Sequence, residues 1–253
     1  MVTCYVDEIA PDNWLTVRTE FSGELISIPY GLKLELTGTA AGREHFTILE
    51  GVNEGKRCSV AKKSGERSYL TANLIHKPAA TVVFNRAAQS LTFGDRGPCN
   101  AFSGGGFADT DGSQYTPVPK GRYDLAIPAF PSKQTRSAYL KWTKFHKTWF
   151  RIGTDLSGSR FLHPGEISEG CVTVRQFLFN PADKKLPVPA GQFSDLPGLP
   201  GGATGIPVPQ HQAPEPGGDI IYDYAPVIGW DTIYYYLILA RASRQSVGSL
   251  TVK

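Results

Sequence analysis

The chain has 253 residues, 41% of them hydrophobic and 19% charged, a balance that excludes a disordered chain and suits one large or two small domains. Its formal charge is +3, and the Lys and Arg residues are scattered, which excludes the basic blocks of a nucleic-acid binder. No apolar run approaches the roughly 20 residues that cross a bilayer, so no membrane span is expected.

Met1–Glu8 carries no basic n-region, apolar h-region or small-residue cleavage site, so no secretory signal is visible. Cys4, Cys58, Cys99 and Cys171 show no CxxC spacing, which argues against a structural zinc site. No metal or cofactor is expected. Cys4 and Cys58 fit either a disulfide or two buried thiols.

Strand signals dominate, and 19 prolines and 27 glycines punctuate the chain into short extended segments. Trp14–Arg18, Leu25–Gly31, Leu32–Leu36, His45–Gly51 and Ser68–Leu70 read as strands of one small module. Lys77–Ala80 reads as a linker, giving an expected division into residues 1–77 and 78–253. Thr81–Phe84 and Ser90–Phe93, with a polar turn between them, predict a β-hairpin. Pro117 and Pro119 make the approach to Gly121–Leu125 an edge strand or a strand entry. Residues 186–218 hold eight prolines and seven glycines and read as a long surface excursion. Asp231 is placed as the N-cap of a largely buried helix over Thr232–Arg241, and Ser246–Val252 closes the chain as a strand. The expected fold class is therefore mostly β, with one late buried helix.

Chemistry concentrates in Phe161-Leu162-His163-Pro164-Gly165-Glu166-Ile167-Ser168-Glu169-Gly170-Cys171-Val172-Thr173-Val174. A thiol is a useful nucleophile at neutral pH when an imidazole or oriented amides favour its thiolate. His163, eight residues upstream across a Pro-Gly turn, meets Cys171 if the two lie on facing strand ends. Gly170 permits a sharp turn, and the amides of Gly170 and Cys171 are candidates to hold a developing oxyanion. A lone cysteine is usually a small hydrophobe, but glycine and two polar residues before Cys171 are odd company for core packing. Cys99, in a turn with no neighbouring base, reads as structural, and the four tryptophans read as packing.

Ser168-Glu169-Gly170-Cys171 followed by a β-branched strand, with an upstream histidine, resembles the L,D-transpeptidase family. Residues 81–93 look like that family's opening hairpin, Ala101–Gly105 like its Ser-Thr-Gly segment, and Thr116–Tyr123 like its proline-led strand. The Ala101–Gly104 and Pro117–Tyr123 pieces are closer still to L,D-transpeptidase-like toxins exported by type VI secretion. Residues 14–76 resemble a bacterial SH3-like barrel. The resemblance implies an SH3-like barrel followed by an L,D-transpeptidase-like β-sandwich or barrel. It implies attack by Cys171 on a peptidoglycan stem peptide, a thioester, and resolution by an amine or by water. Transpeptidation, carboxypeptidase action and D-amino-acid exchange differ only in the acceptor.

The implied partners are peptidoglycan stem peptides, with an immunity protein if the chain is a secreted toxin, and no nucleic acid. The implied location is the bacterial periplasm and cell wall, reached by a specialised secretion system. The family often has His or Lys where this chain has Glu169, and Arg or Asn where it has Thr173. Its base usually lies farther upstream, and the position sixteen residues before Cys171 is Asp155. The base is therefore expected to be His163, with His146 or Asp155 as alternatives. Arg151, Arg160 and Arg175 are candidates for contact with a substrate carboxylate, though each also fits a solvated surface arginine. Two other readings remain open: a non-catalytic wall-binding protein on the same scaffold, and a different cysteine peptidase or amidase. The latter class usually places its cysteine before the histidine and at a helix N-terminus.

Overall fold

The computed structural model describes residues 2–63, 67–104, 116–133, 143–153, 160–165, 168, 170–174, 206–209, 222–225 and 229–253. The chain is mostly β, with curled sheets. Seven strands make the first sheet: β1 (Val2–Val6), β2 (Trp14–Thr19), β3 (Leu25–Pro29), β4 (Lys33–Ala40), β5 (Arg43–Ile48), β6 (Arg57–Ala61) and β7 (Leu70–Thr71). Their spatial order is β3-β2-β6-β5-β4-β1-β7. In β2 and β5 every second residue is buried, the pattern of strands with one face on a core.

The second sheet takes β8 (Ala80–Asn85), β9 (Ser90–Phe93), β10 (Arg96–Phe102), β11 (Gly121–Ala126), β12 (Phe150–Arg151), β13 (Phe161–Pro164), β14 (Val172–Val174) and, after the ribbon of β15 (Ile206–Pro209) with β16 (Tyr222–Ala225), β17 (Ser246–Val252). Its order is β11-β17-β8-β9-β10-β14-β13-β12. The predicted hairpin is β8 and β9, paired Val82↔Phe93 and Phe84↔Leu91. The proline-bearing approach at 116–120 leads into β11, which lies at the sheet edge, where absent backbone donors cost nothing. The C-terminal β17 inserts between β8 and β11, parallel to the first and antiparallel to the second. A Cβ at Gly248 would stand 2.1 Å from the Ala80 carbonyl oxygen, so only glycine allows this approach.

Three expectations are corrected. Lys77–Ala80 is not a free tether: the Lys77 amide donates to the Leu239 carbonyl and its carbonyl accepts from the Arg241 amide. The helix α1 spans Trp230–Ile238, and its N-cap is Gly229, not Asp231. Asp231 instead sits in the first turn, where its charge suits the positive helix end and its carboxylate accepts the Thr143 hydroxyl. Within the 186–218 stretch, β15 is ordered by pairing with β16; residues 186–205 and 210–218 lie outside the described residues.

One apolar cluster runs through both sheets and α1, from Val6, Leu34 and Phe46 to Phe84, Trp230 and Leu250. Polar contacts reinforce it. Arg241 clamps Glu50 through two nitrogens, at 2.8 and 3.0 Å, and both side chains are buried. Glu50→Ala leaves that guanidinium buried without its counter-charge, a change expected to cost about 3–5 kcal/mol in urea unfolding. A loss under about 1 kcal/mol would show that the clamp is not needed.

Candidate active site

Strands β13 and β14 are short, adjacent and parallel, with Leu162↔Val172, His163↔Thr173 and Pro164↔Val174 in register. Leu162, Val172 and Val174 are fully buried in the apolar cluster. Because successive strand residues alternate faces, His163 and Thr173 project from the opposite face, and Cys171 immediately precedes β14. Phe102 on β10, opposite Thr173, and Trp149 and Arg151 around β12 join them by the same alternation. Cys171 and Phe102 are buried, yet neither belongs to the core cluster.

His163 pairs with Thr173, two residues beyond Cys171, so the histidine and the cysteine lie on neighbouring segments of the chain. The Nδ1 of His163 lies 2.8 Å from the Pro164 carbonyl, which only accepts, so Nδ1 carries the proton. Nε2 therefore offers its lone pair, and the Thr173 hydroxyl donates to it at 3.2 Å. Trp149 stacks on the imidazole at 4.1 Å and is itself held by its indole N–H on the His146 carbonyl. Burial drives the His163 pKa down from 6.5 to about 4, with the Pro164 contact opposing. The ring is thus a free base throughout the neutral range.

The Phe161 amide donates to the Cys171 sulfur at 3.4 Å, a dipole that favours negative charge there. Cys4, Cys58 and Cys99 are free, buried thiols whose pKa burial pushes up to about 11, 11 and 12, respectively. The alternative of a Cys4–Cys58 disulfide is therefore not realised.

Distant segments shape the turn before Cys171. The Ser168 hydroxyl donates to the Cys171 carbonyl at 2.7 Å and accepts the Gly104 amide at 3.1 Å. Gly170 has φ +79°, and a Cβ there would sit 3.1 Å from the Thr116 carbonyl oxygen. Ser103 in turn accepts the Val118 amide at 2.8 Å. Residues 101–104 and 116–118 therefore meet at the 168–171 turn.

The structure brings Cys171, His163, Thr173, Ser168 and Gly170 together. His146 contributes its carbonyl; its Nδ1 donates to Thr143 and its Nε2 is buried without a partner among the described residues. Glu169, Asp155 and Arg175 lie outside the described residues. The sequence reading treated Trp149 as packing and left Phe161 without a role. The two-residue spacings Trp149–Arg151 and Phe161–His163 are the signal that puts them on one strand face.

A cavity of about 680 Å³ adjoins this face. Phe161 and Trp149, which touch the thiol and the imidazole, lie on its wall; Cys171 and His163 do not.

Two outcomes are expected. His163 binds fewer protons folded than unfolded between pH 6.5 and about 4, so its contribution is complete above pH 6.5 and lost as pH falls toward about 4. Urea unfolding across this window should lose about 3 kcal/mol more in wild type than in His163→Gln, and parallel profiles would refute the buried neutral ring. Gly170→Ala meets both the positive φ and the Thr116 carbonyl and should cost about 1–2 kcal/mol in the same assay. An unchanged midpoint would mean the turn relaxes freely. No protein-family model, no curated protein and no solved structure matches this chain.

Proposed function

We propose that this chain is a cysteine-dependent acyltransferase of the L,D-transpeptidase type, acting on peptidoglycan stem peptides. The observation that carries the reading is the convergence of a neutral imidazole, a sulfur that accepts a backbone amide and a glycine turn at the adjacent strands β13 and β14. The segments that resemble the family, 101–104 and 116–118, converge on that same turn, which supports the reading further.

In this mechanism the Thr173 hydroxyl, which orients the resting imidazole, turns off Nε2; His163 then takes the thiol proton there, and the sulfur of Cys171 attacks the carbonyl carbon before the terminal D-alanine. Amides at Gly170 and Cys171 hold the oxyanion, a contribution of about 3 kcal/mol per well-placed donor. As the tetrahedral adduct collapses, the C–N bond breaks and the departing amine takes the proton from His163. An amine or water then opens the thioester and regenerates the thiol. Ser168 fixes the carbonyl of Cys171, and Thr173 orients the imidazole through Nε2.

The same proposal covers the finer architecture: an SH3-like N-terminal barrel over 1–77 and an L,D-transpeptidase-like unit over 78–253. It also covers a place of action in the periplasm and wall, and delivery as a type VI effector neutralised by an immunity protein. A second reading, a non-catalytic wall-binding protein on this scaffold, draws on the burial of Cys171 and His163, which are 6% and 3% exposed.

Mass spectrometry of murein stems incubated with the protein separates the two. Wild type should shorten, exchange or cross-link tetrapeptide stems, and Cys171→Ala should lower that rate by about a thousandfold or more. Stems unaltered by the wild type would remove the acyl-transfer reading.

A further inference from the structure

The 680 Å³ cavity beside the site falls within the range of about 300–1,000 Å³ usual for ligand pockets. Its walls come from both sheets. Gly51 and Val52, in the turn after β5, face Ile127 and Phe130, which follow β11; Trp149 and Phe161 supply the side nearest the thiol. Val52 and Phe130 are 43% and 54% exposed, so an apolar lip surrounds the opening.

The charges on this wall are unequal. Glu54 is already occupied, with one carboxylate oxygen held by Arg244 at 2.8 Å and the other by Gln245 at 3.0 Å. Arg151 has no hydrogen bond or ion pair among the described residues, and its Nε is buried and unsatisfied. Its guanidinium carbon lies 5.9 Å from the centre of the Phe161 ring, a weak contact that leaves the in-plane donors unspent. Lys133 adds a second positive charge to the same wall. A buried Nε–H without an acceptor is costly, and the natural complement of a guanidinium is a planar carboxylate.

We infer that this cavity is a carboxylate-binding subsite for the peptide, with Arg151 as its anion contact and the Gly51–Val52 turn of the first sheet as part of its wall. The inference rests on the acyl-transfer reading of Cys171. The sulfur is bonded to the Phe161 amide and Phe161 lines the cavity, so a stem seated there brings its terminal peptide bond toward the thiol while Arg151 holds the terminal carboxylate. The first sheet then completes the substrate site.

The test is calorimetric titration of full-length Cys171→Ala with an N-acetylated stem tetrapeptide ending in a free D-alanine carboxylate, and with its C-terminal amide. The acid should bind about tenfold tighter or more, as a charge-assisted fork requires. In the same background Arg151→Gln should bring the two affinities together, Arg151→Lys should keep part of the preference, and Val52→Asp should weaken the acid more than the amide. Equal affinities in the parent, no binding of either peptide, or a preference that survives Arg151→Gln would overturn the assignment. Acid and amide affinities untouched by Val52→Asp would remove the first sheet from the wall.

Labelling of the wild-type chain with a thiol-directed carbapenem reads the acyl-transfer claim separately. A Cys171 adduct without a carboxylate preference sinks the subsite and leaves the chemistry. A carboxylate preference without an adduct does the reverse.

Discussion

The Glu50–Arg241 pair is the constraint on which the arrangement of the two sheets turns. Arg241 donates to Glu50, to the Ile238 and Ala240 carbonyls at the end of α1, and to the Gly31 carbonyl. Glu50 also accepts the Lys33 amide at 2.7 Å, and the ring Nε2 of His76 lies 2.8 Å from the Gly31 carbonyl. Burial, then the nearby Arg241 charge, lowers the His76 pKa, which disfavours a further charge on that ring. A saturated network of this kind adds little net stability over apolar packing, but it tolerates one geometry only. It also places a cation at the negative end of α1.

From that anchor the packing leads to the site. Tyr234 on α1 stacks on Phe145 at 3.8 Å, and the Trp230 indole donates to the Phe145 carbonyl. Trp14 from the first sheet donates to Thr148, and Lys147 pairs with Asp12. The 143–149 segment is therefore held from two directions, and it delivers Trp149 onto His163. The orientation of the imidazole is thus tied to contacts that span most of the chain.

Burial acts in two opposite ways on the reactive groups. For Cys4, Cys58 and Cys99 it disfavours the thiolate and leaves inert hydrophobes. For His163 it disfavours the imidazolium, and the Nε2 lone pair accepts the Thr173 hydroxyl. Cys171 is buried as well, and the Phe161 amide donates to its sulfur.

Period-two alternation and turn residues determined, from the sequence alone, that the chain is mostly β, that β8 and β9 form a hairpin, and that β17 closes the fold. Both are local signals, decided by which face a side chain takes and which φ a residue accepts. Short strands such as β6, β12 and β13 escaped because two to five residues carry too little period to read. The Cys171 segment stood out because glycine and polar neighbours do not suit a core thiol.

Tertiary structure alone decided that β13 and β14 run parallel in a register that sets His163 opposite Thr173, two residues beyond Cys171. It alone joined residues 101–104 and 116–118 at Gly170, pinned Lys77 against the end of α1, and left Arg151 with an unsatisfied donor beside Phe161. Register and strand order are long-range properties: they emerge only when distant segments close on one another and bury a shared core, and no local pattern encodes them.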